Sequence, residues 1–147
     1  MPSLWNASER AELLQRIDSL RAEGKPQWGT MSCKEMLAHL CDSMRMALGE
    51  LQVKPKSGPM QMKAVRHAII YWLPFPKGAP TAPELIKRKP QGWKQEADDL
   101  KDLIQRLADH ANWTSWPPHP IFGDLSGQDW GVLSYKHIDH HLKQFGA

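Results

Sequence analysis

The chain has little of what most often declares a function. Cysteine occurs only twice in 147 residues, at Cys33 and Cys41. Both fall on one predicted helix, roughly 12 Å apart at about 1.5 Å rise per residue, which excludes a disulfide between them and leaves two buried thiols as the expectation. No apolar run approaches the roughly 20 residues that a membrane helix needs, so no membrane partner is expected. Neither sign of charge is in large excess: 19 Lys and Arg stand against 16 Asp and Glu, a formal +3, which argues against nucleic acid as a partner. Strand-like alternation and internal repeats are absent, and low complexity is confined to one proline-rich stretch. The first residues, Met1 to Asn6, lack the charged and apolar regions of a signal peptide. A cytoplasmic protein is therefore expected, in which the sequons at Asn6 and Asn112 carry no meaning.

What is present is enough for a packed globule. Apolar residues make up 41% of the chain, with seven Trp and seven Met, and a chain of this length buries a core without staples as one domain over residues 1–147. Asn6 or Ser8 caps a first helix expected to run to about Glu23, with Leu13, Leu14, Ile17 and Leu20 as its apolar stripe and Gly24-Lys-Pro26 as its stop. Ser32-x-x-Glu35 is a capping box that opens a second helix, along which Met36, His39, Leu40, Ser43 and Ala47 share a face. Residues 50–61 read as a loop, and Met62 to Leu73 as a third helix. Five prolines then fall between Pro74 and Pro90, and so long a loop is either a lid or a connector across the end of a bundle. A fourth helix is expected from about Lys94 to His110, and Ser126-x-x-Asp129 opens a fifth that runs to Phe145. The fold expected is all-α: a four-helix bundle with an extra helix and a long Pro-rich loop. Within that loop Lys87-Arg88-Lys89, followed by Trp93 and Lys94, is the densest basic cluster. It reads first as a solvated surface loop and second as a site for phosphate or an acidic ligand.

The last helix carries three of the seven histidines within five residues, His137, His140 and His141. His137 and His141, at i and i+4, project from one helix face and are a chelating pair in waiting. Periodicity leaves His140 open as the alternative, since it lies about 60° to the other side of His137. Two ligands rarely hold a metal, and His39, on the apolar face of the second helix, is the best-placed third. Three histidines leave a position open on the ion, where bound water has its pKa lowered towards about 7. Asp42 and Asp139 are nearby carboxylates without ligand spacing. His67 reads as helix surface or core, and His110 as a favourable charge at a helix C-terminus. His119 reads as a loop-shaping residue or a group that approaches the site.

The run His137-x-x-His140-His141-x-x-Gln144, with His39 in Glu-Met-Leu-Ala-His39-Leu, resembles the DinB/YfiT-like superfamily of metal-dependent enzymes. The chain looks closest to a bacterial branch of uncharacterised function, through Tyr135 to Gly146 and the His-Pro-x-Phe-Gly-x-Leu segment from His119 to Leu125. The resemblance extends from about Trp28 to the C-terminus. It implies a divalent metal, Zn²⁺ or Ni²⁺, on His39, His137 and His141, and activities such as hydrolysis or thiol-dependent transfer. The long proline insertion, the Leu142-Lys143 pair and the nearby Trp/Pro segment depart from what relatives often have.

Two functional readings follow. In the first the protein is a cytoplasmic metal-dependent enzyme acting on a small molecule, a hydrolase or a thiol-dependent transferase, with a thiol cofactor in the second case. Gln144 or His140 would orient a ligand, and Trp28, Trp130 and the Pro74–Pro83 loop would form an apolar mouth. In the second it is a non-catalytic binding or stress-related bundle whose histidines are structural. A homodimer is compatible with either.

Overall fold

The two helices that carry the histidines are also those whose starts the sequence specifies most fully. Ser32 Oγ accepts from the Glu35 N–H (3.1 Å) while Glu35 Oε1 accepts from the Ser32 N–H (2.9 Å), and Ser126 and Asp129 repeat the exchange at 3.1 and 3.0 Å. Each box satisfies two backbone N–H groups that a helix start otherwise leaves unpaired. They open α2 (Cys33–Ala47) and α5 (Gly127–Gln144) of the computed structural model, which describes residues 1–147. The other helices are α1 (Ala7–Asp18), α3 (Lys63–Tyr71) and α4 (Trp93–Asp109), with short 3₁₀ turns at Pro59–Gln61 and Pro83–Leu85. The Asn6 side chain caps α1 by accepting from the Ser8 and Glu9 N–H groups.

The expected all-α bundle is the observed one. α2 and α4 pack along each other, α1 lies against α4 and α5, and α5 also touches α2, so these four form the bundle. α3 packs on α5 from outside as the extra helix. Leu13, Ile17, Met36, Leu37, Leu40, Leu100, Ile104, Leu107, Ile138 and Leu142 are fully buried between them, each such side chain contributing about 1.5–3 kcal/mol of transfer free energy. Cys33 and Cys41 are buried free thiols, as expected. Gly131 lets the N-terminal segment close onto α5: a Cβ there would meet Trp5 Nε1 at 2.5 Å and Ser3 Oγ at 2.6 Å.

Two expectations need correction. α1 ends at Asp18 rather than near Glu23. The Ser19 hydroxyl donates to the Arg16 carbonyl at 2.7 Å, and this local bond competes with continuation of the helix. Leu20 still reaches the core, but from the turn that follows. The basic cluster is not a uniformly solvated loop either. Arg88 turns inward and pairs at 2.8 Å with both oxygens of Glu96, a wholly buried residue, and at 3.1 Å with both oxygens of Asp42. Burial pushes the Glu96 carboxyl up, but Arg88 and the Gln91 N–H more than reverse this and hold it below the usual range. Asp42 takes a second partner in Arg45 at 2.8 Å.

This network ties the proline-rich segment to α2 and α4. Replacing Arg88 by Met strips Glu96 of its guanidinium, with an expected loss of about 3 kcal/mol, because an uncompensated buried charge costs far more than a surface pair contributes. Lys87→Ala and Lys89→Ala should each change stability by less than about 0.5 kcal/mol. Urea unfolding of the three variants checks this, and comparable losses in all three would show that Arg88 has no interior role.

Candidate metal centre

His39, on the second turn of α2, is 2% exposed, a burial that an imidazole tolerates only when its nitrogens have partners. Its Nδ1 lies 3.0 Å from the carbonyl oxygen of Leu85, at the end of the 3₁₀ turn in the proline-rich segment. A carbonyl only accepts, so Nδ1 carries the proton and Nε2 keeps its lone pair. That Nε2 lies 3.0 Å from Nε2 of His137 on α5. The rings of His39, His137 and His141 form a triangle with all three centroid separations at 4.9 Å. One ring nitrogen from each lies within 4.8 Å of the others, a grouping that could hold a metal ion. Nitrogens on a tetrahedral Zn²⁺ stand roughly 3.3 Å apart at about 2.0–2.1 Å from the ion, so the donor set is of the right kind and close to the right size.

His141 is oriented by a relay that starts in the backbone. The carbonyl of Trp28 accepts from Gln144 Nε2 at 2.9 Å, which fixes the amide so that Oε1 faces His141 Nδ1 at 2.7 Å. His141 Nδ1 therefore donates, and its Nε2, without a protein partner, is left as a lone pair. Room for the amide comes from Gly29, at φ 77°, where a Cβ would stand 2.9 Å from Gln144 Nε2. The Gln27 N–H donates to the Gln144 carbonyl at 2.7 Å, so the segment before α2 is clasped to the end of α5.

All three rings are held neutral, the form in which imidazole binds a metal. Burial lowers the pKa of His39, against the Leu85 carbonyl and Asp42. Burial lowers His137 well below its ordinary value, and a charge on His141, His39, His140 or His119 would lower it further. Burial and His39 bring His141 down to about 3, with Gln144 opposing. The carboxylates are engaged elsewhere: Asp42 with Arg45 at 2.8 Å and Arg88 at 3.1 Å, and Asp139 with Arg16 and Lys143, both at 2.8 Å.

Around the triangle the expected mouth forms only in part. His140, half-buried, is tilted against Trp28 (5.4 Å) and Phe75 (5.8 Å), and Lys77 Nζ sits 4.6 Å over the Trp28 ring. The proline-rich segment thus contributes Phe75, Lys77 and the Leu85 carbonyl. Trp130 does not belong to the mouth. It is 2% exposed and its ring packs on Trp116 at 6.0 Å and on His119 at 5.4 Å, both in the segment before α5. His67 is an exposed partner of Tyr71 and Trp72, and His110 stacks on Trp113. Sequence reasoning missed the Leu85 and Trp28 carbonyls, because backbone groups leave no mark in residue identity. The signal that did exist was Gly29, adjacent to Trp28 at a strained turn position.

No curated protein and no solved structure gives a significant match to the chain. A family model matches residues 6–147, almost the whole of the sequence. The chain belongs to the family described as Protein of unknown function (DUF1569).

Proposed function

We propose that this protein is a metal-dependent enzyme of the DinB/YfiT-like kind, binding one Zn²⁺ or Ni²⁺ through His39, His137 and His141 and acting on a small molecule as a hydrolase or a thiol-dependent transferase. The observation that carries this reading is the pair of Nδ1 partners. Leu85 and Gln144 each take an Nδ1–H and thereby free two Nε2 lone pairs towards one point. When bound, the ion supplies Lewis acidity at the position its three ligands leave free. The chain's own residues do the rest: Gln144 holds His141 in register, and Phe75, Trp28 and His140 flank the approach. The reading carries with it a cytoplasmic location, a thiol cofactor if the reaction is a transfer, and a homodimer as the assembly to test for.

One observation favours the alternative of structural histidines in a non-catalytic bundle. The 3.0 Å contact between His39 Nε2 and His137 Nε2 is also an ordinary hydrogen bond, which needs no ion.

Elemental analysis of untagged protein purified without chelators separates the two. Near-stoichiometric metal is expected in the wild type and its loss in His137→Ala/His141→Ala, with helicity retained. A wild type that is metal-free and refuses both Zn²⁺ and Ni²⁺ removes the enzymatic reading. Gln144→Ala should weaken metal affinity by about 10–100-fold in chelator competition, the usual scale for loss of a partner behind a ligand.

Acid should also discriminate. Each lowered histidine takes a proton more readily in the unfolded chain, at an ordinary pKa of about 6.5, than in the folded one. The metal-free protein therefore has its full histidine contribution above about pH 6.5. It loses that contribution as pH falls towards about 4, where folded His119 titrates, and about 3 for His141. Denaturant midpoints measured from pH 7 to 4 should fall steadily, and fall less in the double variant. A flat profile in the wild type would contradict the burial of these rings.

A further inference from the structure

Two ring N–H donors whose rings pack on each other at α5, those of His119 and Trp130, have no protein acceptor. His119 begins the turn His119-Pro-Ile-Phe-Gly123, closed by reciprocal backbone bonds between His119 and Gly123 at 2.8 and 2.9 Å, with Gly123 at φ 73°. Its Nδ1 accepts from two backbone N–H groups, Ile121 at 3.0 Å and Phe122 at 3.2 Å. An atom that accepts twice carries no hydrogen, so the ring proton sits on Nε2 and the tautomer is fixed by the turn. Nε2 has no protein partner and is not sealed from solvent. The ring is within electrostatic reach of His137 and packs 5.4 Å from Trp130. Trp130 supplies the second observation: its Nε1–H is the one buried side-chain polar atom in the protein with no partner. Leaving a buried donor unpaired is costly, a cost usually met where a water or a ligand completes the bond.

We propose that His119 is a binding residue of the metal centre, whose turn-fixed Nε2–H donates to an oxygen acceptor, a carboxylate or carbonyl oxygen, on the small molecule bound there. This inference rests on the metal-dependent reading and adds the class of group that the substrate presents. Burial lowers the His119 pKa to about 4, so the ring is a neutral donor at neutral pH and not a charge competing with the ion. A positive charge here would repel a divalent ion. A neutral N–H does not, and it complements an acceptor.

Two substitutions separate the turn from the donor. In His119→Asn the short carboxamide oxygen can still accept from Ile121 and Phe122, as Asn side chains do in turns, but the distal donor is gone. In His119→Gln the longer side chain can return an N–H to the Nε2 position, while the turn loses its acceptor. The protein is loaded with Co²⁺, whose visible bands report both the site and what binds it, and titrated with acetate. Cobalt uptake equal to wild type is expected in both variants, with acetate binding about tenfold weaker in His119→Asn and largely restored in His119→Gln. The melting temperature should move the other way, falling in His119→Gln more than in His119→Asn. Wild-type acetate affinity in His119→Asn, with the cobalt bands intact, overturns the donor role and leaves the metal site standing. Absence of cobalt bands in the wild type overturns both.

Discussion

The contact between His39 and His137 is the constraint on which the site depends. It joins two residues 98 positions apart at a nitrogen–nitrogen distance of 3.0 Å, a tolerance that α2 and α5 meet only if their starts, their rotation and their mutual packing are all specified. The two capping boxes set the starts. Ile138 and Leu142, wholly buried next to the histidines on α5, set the rotation. The Nδ1 partners then settle what the nitrogens are. His39 spends its proton on Leu85, so without an ion its Nε2 can only accept, and His137 must hold its own proton on Nε2 to donate. Metal binding then requires that proton to move to Nδ1 of the same ring. The change would be one of tautomer, with no net release of a proton.

Leu85 could not perform its part from a mobile loop. Its carbonyl is positioned by a segment pinned on both sides of it, by Glu84 accepting the Lys54 N–H at 2.7 Å and by Arg88 between Asp42 and Glu96. Upstream, the Lys136 ammonium gathers the carbonyls at the end of α3. The five prolines reduce the conformations such a stretch can explore when unfolded, so less entropy is lost in fixing it. The ion-pair network thus acts on the site at one remove: it holds the segment, the segment holds a carbonyl, and the carbonyl determines which nitrogen of His39 is free.

Much of this was legible in the residues. Ser32-x-x-Glu35 and Ser126-x-x-Asp129 announced the two helices that matter, the i, i+4 pair announced a shared face, and the apolar neighbours of His39 announced its burial. Gln144 was legible as an orienting group through its place in the motif. What could not be read was everything contributed by backbone or by charge turned inward. Lys87-Arg88-Lys89 presents three equivalent cations as a string, and only the fold distinguishes Arg88, because only the fold brings Asp42 and Glu96 to it. Trp130 shares a helical stripe with His137, yet the stripe is wide enough to hold both the site and the core beneath it. The end of α1 was misjudged for a similar reason: periodicity continued to Leu20, while the Ser19 hydroxyl had already taken a carbonyl from the helix.

The charge of the centre bears on what it binds. An ion held by three neutral imidazoles keeps its full double charge, since no carboxylate is left to offset it. Asp42, Asp139 and Glu96 each face an arginine, and the first and second of these face two cations. Such a centre favours a ligand that brings negative charge or a strong oxygen dipole, more so where water is partly excluded and screening is weak. The His119 donor and the Lys77 ammonium over Trp28 have the same sign of preference. With an ion on the three histidines, the electrostatics of the ligands and of their surroundings would together favour an acceptor-bearing ligand, while the aromatic faces of Trp28 and Phe75 would suit its apolar remainder.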